Sequence, residues 1–197
     1  MRDLGLLIIR VTVGGLLAGH GAQKLFGAFG GYGLQGTGGW LASIGLRPGP
    51  WWAALAGFGE FGGGLLTALG LFHPIGPLLT LGPMGVATGT VHAGKPIWVT
   101  EGGAELPVTN MAVATGLTLA GPGRFSLDRM LGSKVPAYLA ATVAVSVLLG
   151  IGAAIASRRA AQQPVAPAAT EEAVGEEEEE AEAELQRRRT RGKAQAA

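Results

Sequence analysis

The sequence predicts an all-α integral membrane protein. A four-helix transmembrane bundle occupies residues 1–132, with an interfacial or re-entrant segment near 27–50. A fifth transmembrane helix follows over 133–159, and a disordered charged tail over 160–197. Three observations carry this expectation. First, 48% of the 197 residues are hydrophobic and only 15% are charged, where a soluble domain carries about 25% charge. Second, the charge is unevenly placed: nine of the fourteen acidic residues fall between Glu171 and Glu184, and five of the fifteen basic ones between Arg187 and Lys193. The first 163 residues keep ten basic and five acidic side chains, too few to cover a water-facing surface, so lipid is the expected solvent. Third, apolar runs approaching the about 20 residues that cross a bilayer recur between Gly-, Pro- and charge-rich breaks.

The first run, Leu4–Ala22, holds a single charge, Arg10, and no convincing cleavage site follows it, so it reads as a retained helix rather than a signal peptide. Gly27–Pro50 is glycine-rich, and its apolar stretch Trp40–Leu46 is too short to span. Trp51–Leu71 is the second span, with Glu60 near its middle, and Pro74 breaks it. Ile75–His92 is the third, opened by Pro74 and Pro77, which suit a helix start. A polar loop, Gly94–Glu105, leads to the fourth span, Leu106–Gly121, stopped by Gly121-Pro122-Gly123. Arg124–Lys134 reads as a polar linker. Pro136–Ala156 is the fifth span, without an ionisable group, closed by Ser157-Arg158-Arg159. From Gln162 onward Pro, Ala, Glu and Arg dominate; such a stretch cannot bury enough apolar surface to offset its ordering entropy, although Ala173–Arg191 has helix-favouring composition. Basic residues near the spans divide four against five between the two faces, which does not decide orientation.

Several chemistries are excluded. The chain has no cysteine, so it carries no thiol–disulfide couple and no cysteine-ligated cluster of its own. Gly27, Gly30 and Gly31 follow no strand, and Lys24 precedes rather than follows them, so they are no phosphate loop. The acidic run beside Arg187–Arg191 argues against nucleic-acid binding. Two histidines on different spans, His20 and His92, lack a metal or haem motif, and no metal site is expected.

Alternation of spans gathers the remaining polar residues at one membrane face: His20, Gln23 and Lys24 end the first span, His92 ends the third, and Glu101 and Glu105 precede the fourth. Arg10 lies about 15 Å below His20, and Glu60 about 13 Å below Trp51, at 1.5 Å per residue. A lone charge in hydrocarbon costs about 3 kcal/mol on the insertion scale. Arg10 and Glu60 are therefore expected to pair, either as a structural lock of helix register or as the charged floor of a pocket with Glu60 as proton acceptor. The small residues Gly62-Gly63-Gly64 after Glu60 allow a neighbouring helix to approach closely.

The run Gly19-His20-Gly21-Ala22-Gln23-Lys24-Leu25-Phe26-Gly27, then Phe29-Gly30-Gly31 and Gly36-Thr37, resembles the opening signature of the DoxX family. So do Glu60 with Gly62-Gly63, Val91-His92, Gly102-Gly103-Ala104-Glu105-Leu106 and Gly121-Pro122-Gly123-Arg124-Phe125-Ser126-Leu127-Asp128, in order from Leu4 to Leu131. Leu106 departs from the pattern, which often has an aromatic there. The resemblance implies a four-helix bacterial or archaeal membrane protein. The family is named for a subunit of a quinone-coupled sulfur oxidation system; other members belong to membrane oxidoreductase complexes and oxidative-stress responses, and distant eukaryotic relatives resemble receptor-assembly chaperones.

The expected function is a quinone-interacting subunit of an oxidoreductase or oxidative-stress complex in the bacterial plasma membrane. Glu60 and His92 are the candidate catalytic residues, and His20, Gln23, Lys24, Glu101, Glu105 and Arg10 the candidate substrate-binding ones. His92 and Glu105 would hydrogen-bond quinone carbonyls, Glu60 would move protons, and Lys24 and Arg10 would balance charge. No cofactor is expected to be covalently bound, and electrons would come from a partner subunit. The other partners are the lipid bilayer and, in a homo-oligomer, further copies of the chain. The alternative is a non-enzymatic membrane scaffold or assembly chaperone; a small transporter is disfavoured because no repeat pair is evident.

Overall fold

Glycine and proline punctuation divides the chain into helices, and among the described residues every regular element is helical. The structure is a computed structural model that describes residues 1–163 and 179–187. Its α-helices are α1 (Arg2–Phe26), α2 (Gly33–Ser43), α3 (Gly49–Leu69), α4 (Ile75–Gly89), α5 (Glu105–Ala120), α6 (Leu127–Leu131) and α7 (Ala137–Gln162). Short 3₁₀ turns cover Ala28–Gly30 and Val99–Glu101. Met1–Gln162 is one compact unit. Residues 179–187 belong to a second unit and form an exposed helix, inside the stretch whose composition favours one; of the rest of the expected disordered tail, residues 160–162 belong to α7, and residues 164–178 and 188–197 lie outside the described residues.

α1 runs a full turn past the expected Ala22 and stops only at Gly27, which takes the left-handed conformation (φ 72) and donates its N–H to the Ala22 carbonyl. Pro48 and Pro50 open α3, where their missing N–H groups cost nothing. Helices α3, α4 and α5 occupy the stretches expected as the second, third and fourth spans. α4, with 15 residues, is shorter than the expected Ile75–His92, while α5 keeps the expected length of 16 residues, set one residue earlier. By length and composition, α1 and α7 are the two helices long and apolar enough to cross a membrane. α7 continues past Ser157-Arg158-Arg159 to Gln162, beyond the expected end, because Arg, Ala and Gln all favour helix.

α3 is the hub of the packing: α1, α2 and α4 all lie against it, α5 and α7 lie against α4, and α5 also touches α1. The α1–α3 contact is made of small residues. A Cβ on Gly14 would sit 2.7 Å from the Gly64 carbonyl oxygen, and one on Gly64 would sit 2.5 Å from the Ala18 nitrogen. Only backbones stripped of side chains reach this separation, the geometry by which helices associate in lipid, where no hydrophobic force separates helix from solvent. α7 uses the same device on α4: Ile151 fills the notch at Gly85 and Ile155 the notch at Gly89. Leu41 and Leu46, Ala53 of α3 and Ala154 of α7 close a small buried cluster, so the fifth long helix is packed into the fold rather than appended to it.

The outside is apolar. Ile8, Val11, Leu16, Leu55, Phe58, Leu119, Leu148 and Leu149 are exposed, and Ala154 is the one buried residue of α7. In water such a surface would drive aggregation; lipid solvates it without cost.

The segment expected as a polar linker, Arg124–Lys134, is folded. Ser126 caps α6 by accepting the Arg129 N–H at 3.3 Å, and both Ser126 and Asp128 are buried.

Candidate functional site

The longer α1 decides which charges meet. With the helix end at Phe26, Arg10 lies about 24 Å from it, whereas Glu60 lies about 16 Å from the start of α3. The two helices are antiparallel, with Gly21 against Phe61 and Gly14 against Ala68. Glu60 is therefore level with the last turns of α1, and Arg10 with the far end of α3. The expected Arg10–Glu60 pair does not form. Lys24 Nζ instead donates to Glu60 Oε2.

This pair is enclosed. The Glu60 side chain is 5% exposed and that of Lys24 29%. Leu25 packs into the notch at Gly57, and the Phe26 and Phe61 rings meet edge to face at 5.4 Å, beside the pair on either helix. His20 lies near enough to interact electrostatically with Glu60. His20 Nδ1 and Gln23 Oε1 are hydrogen-bonded at 3.1 Å, so this side chain pair lies on the same stretch of α1. Oε2 is held by Lys24, while Oε1 accepts no hydrogen bond from the described residues. Of the eight expected site residues, His20, Gln23, Lys24 and Glu60 lie together here.

His92, Glu101 and Glu105 form a separate group around the α4–α5 loop. His92 Nδ1 is 2.6 Å from the Gly102 carbonyl oxygen, and Glu105 Oε2 accepts the Val99 N–H at 2.9 Å. Both side chains hold the loop in shape. Glu101 is exposed in the 3₁₀ turn. Among the described residues no hydrogen bond or ion pair joins this group to Glu60.

Arg10 belongs to a third group, at the other end of the bundle, which the sequence reading missed. It is 2% exposed, its Nη2 donates to the Phe125 carbonyl at 2.6 Å, and its Nε and Nη1 have no hydrogen-bond partner among the described residues. Nη1 lies against Gly70, which ends α3 with φ 62; a Cβ there would collide with the guanidinium and would also strain the backbone. Asp128 interacts electrostatically with Arg10 and accepts the N–H groups of Phe72 and His73 at 2.8 and 2.7 Å. His73 Nε2 lies 3.2 Å from the Thr118 carbonyl oxygen. One arginine and one aspartate thereby tie α1, the α3–α4 turn and α6 together, and His73 extends the link to α5. The available signal was the spacing Ser126-Leu127-Asp128-Arg129, a helix N-cap with an acid in the first turn.

Burial holds the His73 imidazole below its ordinary value of 6.5; the Thr118 contact and Asp128 oppose this, and Arg10 adds to it. The folded state thus favours neutral His73, and the unfolded chain binds more protons on acidification. The stability this contributes is present above about pH 6.5 and is lost as pH falls below it. Thermal unfolding followed from pH 7.5 to 5 is expected to show an acid-side loss that His73→Gln flattens; an unchanged slope in the variant would assign that loss to another group.

Apolar helices that present their hydrophobic side outward, around the buried Lys24–Glu60 pair, point to a membrane protein. The comparison with known families makes this specific: residues 5–93 match the DoxX family model. The match holds His20, Gln23, Lys24, Glu60, Arg10 and His92, and stops before Glu101, Glu105 and Asp128. It is shorter than the resemblance read from the sequence, which ran to Leu131. No curated protein and no solved structure matches the chain.

Proposed function

We propose that α1, α3, α4, α5 and α7 cross a bacterial plasma membrane, the first four as a bundle and α7 on its flank. We propose further that the Lys24–Glu60 site handles protons for a bound quinone-type amphiphile, in a subunit of a membrane oxidoreductase. The observation that supports this reading is a carboxylate set deep among apolar helices, with one oxygen held by a single lysine and the other uncommitted. Intramembrane ionisable residues are rare because they are costly, and those retained mark proton or substrate paths. Quinone reduction takes up two electrons and two protons. A partner subunit supplies the electrons, Glu60 passes protons through Oε1, and Lys24 steadies the carboxylate when it is charged. His20 and Gln23, at the exposed end of the same stretch, connect it to water. His92 and Glu105 are spoken for by the loop, so the burden shifts from them to the residues of α1 and α3.

The test is thermal unfolding of detergent-purified protein titrated with a soluble ubiquinone analogue, wild type beside Glu60→Gln. A ligand of the folded state raises its stability by about 2.7 kcal/mol at one hundred times its Kd. A saturable rise in wild type that Glu60→Gln abolishes is expected. The absence of a rise in folded wild-type protein would transfer the assignment to a membrane scaffold or assembly chaperone. That second reading is favoured by the structural employment of His92 and Glu105 and by the exposed apolar face of α7.

A further inference from the structure

A cavity of about 380 Å³ opens where α1 begins, α5 ends and the α6 segment leads into α7. Its wall carries Arg2, Arg124, Arg129 and Lys134 against two acids, Asp3 and Asp128. Both acids are already engaged: Asp3 accepts the Arg124 N–H at 3.0 Å, and Asp128 accepts two N–H groups of the α3–α4 turn. Arg2 is partly engaged too, donating to the Ala120 carbonyl at 2.7 Å. The side chains of Arg124, Arg129 and Lys134 are exposed and make no hydrogen bond to the described residues. Such a concave wall, with its acids occupied and its cations unspent, suits a dianionic or monoanionic phosphate.

Its position selects the source of that phosphate. The cavity lies at the N-terminal ends of α1 and α7, the two helices long and apolar enough to cross a membrane, and so at the level where headgroups lie. Its surroundings are apolar as well: Leu6 is part of the wall, and Leu4, Phe125, Met130, Leu131 and Tyr138 stand exposed along the same segments. A soluble phosphate has no use for such a rim, whereas a lipid places acyl chains along it while its headgroup enters the basic wall. We infer that this cavity binds the phosphate headgroup of an anionic phospholipid. The inference needs only that α1 and α7 cross the bilayer and is independent of the quinone reading.

The test uses the full-length protein in neutral phosphatidylcholine micelles, with thermal unfolding followed as phosphatidylglycerol is added. A saturable rise in Tm at low mole fraction is expected. The triple variant Arg124→Gln/Arg129→Gln/Lys134→Gln is expected to weaken the apparent affinity by about 100-fold, roughly fivefold for each cation removed near the surface. A control that removes three cations elsewhere, Arg47→Gln/Lys95→Gln/Arg159→Gln, should keep the wild-type response. All three side chains of the triple variant are exposed, so it folds; if its unliganded Tm nevertheless falls, Arg129→Glu/Lys134→Glu supplies the same readout. Equal loss in the control would reduce the effect to net charge and overturn the site. An equal rise with inorganic phosphate alone would overturn the lipid as its occupant, and no rise with phosphatidylglycerol would overturn the inference outright.

Discussion

Replacing Lys24 with methionine is expected to lower the stability of the folded protein by about 3–5 kcal/mol, the penalty of leaving a buried charge without its partner. Glu60 is 3% exposed, and Lys24 is its one hydrogen-bond partner among the described residues. The nearby His20 is exposed and makes its hydrogen bond to Gln23. Lys24→Met therefore leaves a carboxylate that must either take up a proton or remain charged among apolar side chains. The double variant Lys24→Met/Glu60→Met removes both charges with similar volume, and its stability is expected to return to the wild-type level or exceed it. Equilibrium unfolding in detergent, with all four corners of the cycle, measures the coupling. A single variant costing under about 1 kcal/mol would mean that the pair is solvated like a surface ion pair, and the argument for a buried proton-handling site would fall with it. The double variant also separates stability from function: it is expected to be folded and unresponsive to quinone.

Asp128→Ala is the second substitution with a large expected effect, again about 3–5 kcal/mol. It removes the acceptor of two backbone N–H groups, those of Phe72 and His73, and the counter-charge of the buried Arg10. Unsatisfied buried donors cost about 1–3 kcal/mol each, partly relieved here by water reaching the half-buried turn. Asp128→Asn keeps one acceptor and loses the charge, so its loss is expected to lie between wild type and alanine. Arg10→Met combined with Asp128→Ala is expected to cost less than the sum of the two, because the second removal no longer strands a charge. Strict additivity would show that Arg10 and Asp128 act independently, and that the link across α1, the α3–α4 turn and α6 is not energetic. Because Asp128 also lies in the wall of the basic cavity, its variants are unsuited to the lipid test, which rests on Arg124, Arg129 and Lys134 alone.

Most of the helices could be read in advance, and the reason is local. A shortage of charge, long apolar runs and the punctuation at Gly27, Pro48, Pro74 and Gly121 are properties of neighbouring residues, and helix formation in an apolar solvent responds to them directly. The small-residue contact along Gly14, Ala18 and Gly64 was similarly foreshadowed by Gly62-Gly63-Gly64. The ends of helices were less legible. α1 was expected to close at Ala22, yet nothing between Gln23 and Phe26 breaks a helix, and Gly27 is the first residue suited to the left-handed exit. That single turn moved the partner of Glu60 from Arg10 to Lys24, since charges in apolar surroundings pair with whatever lies level with them.

The sequence by itself determined the class of molecule, the identity of the buried carboxylate and the resemblance to the DoxX family, because these depend on composition and on short ordered motifs. Only the tertiary structure decided three further points: that Lys24 holds Glu60, that Arg10 and Asp128 serve the opposite end, and that His92 and Glu105 are committed to their loop. Each depends on the relative height of residues on different helices, from Lys24 against Glu60 to Arg10 against Gly70, which packing sets through close contacts such as Gly14 on Gly64. A residue count along one helix carries no information about its neighbour's vertical offset until that contact is known.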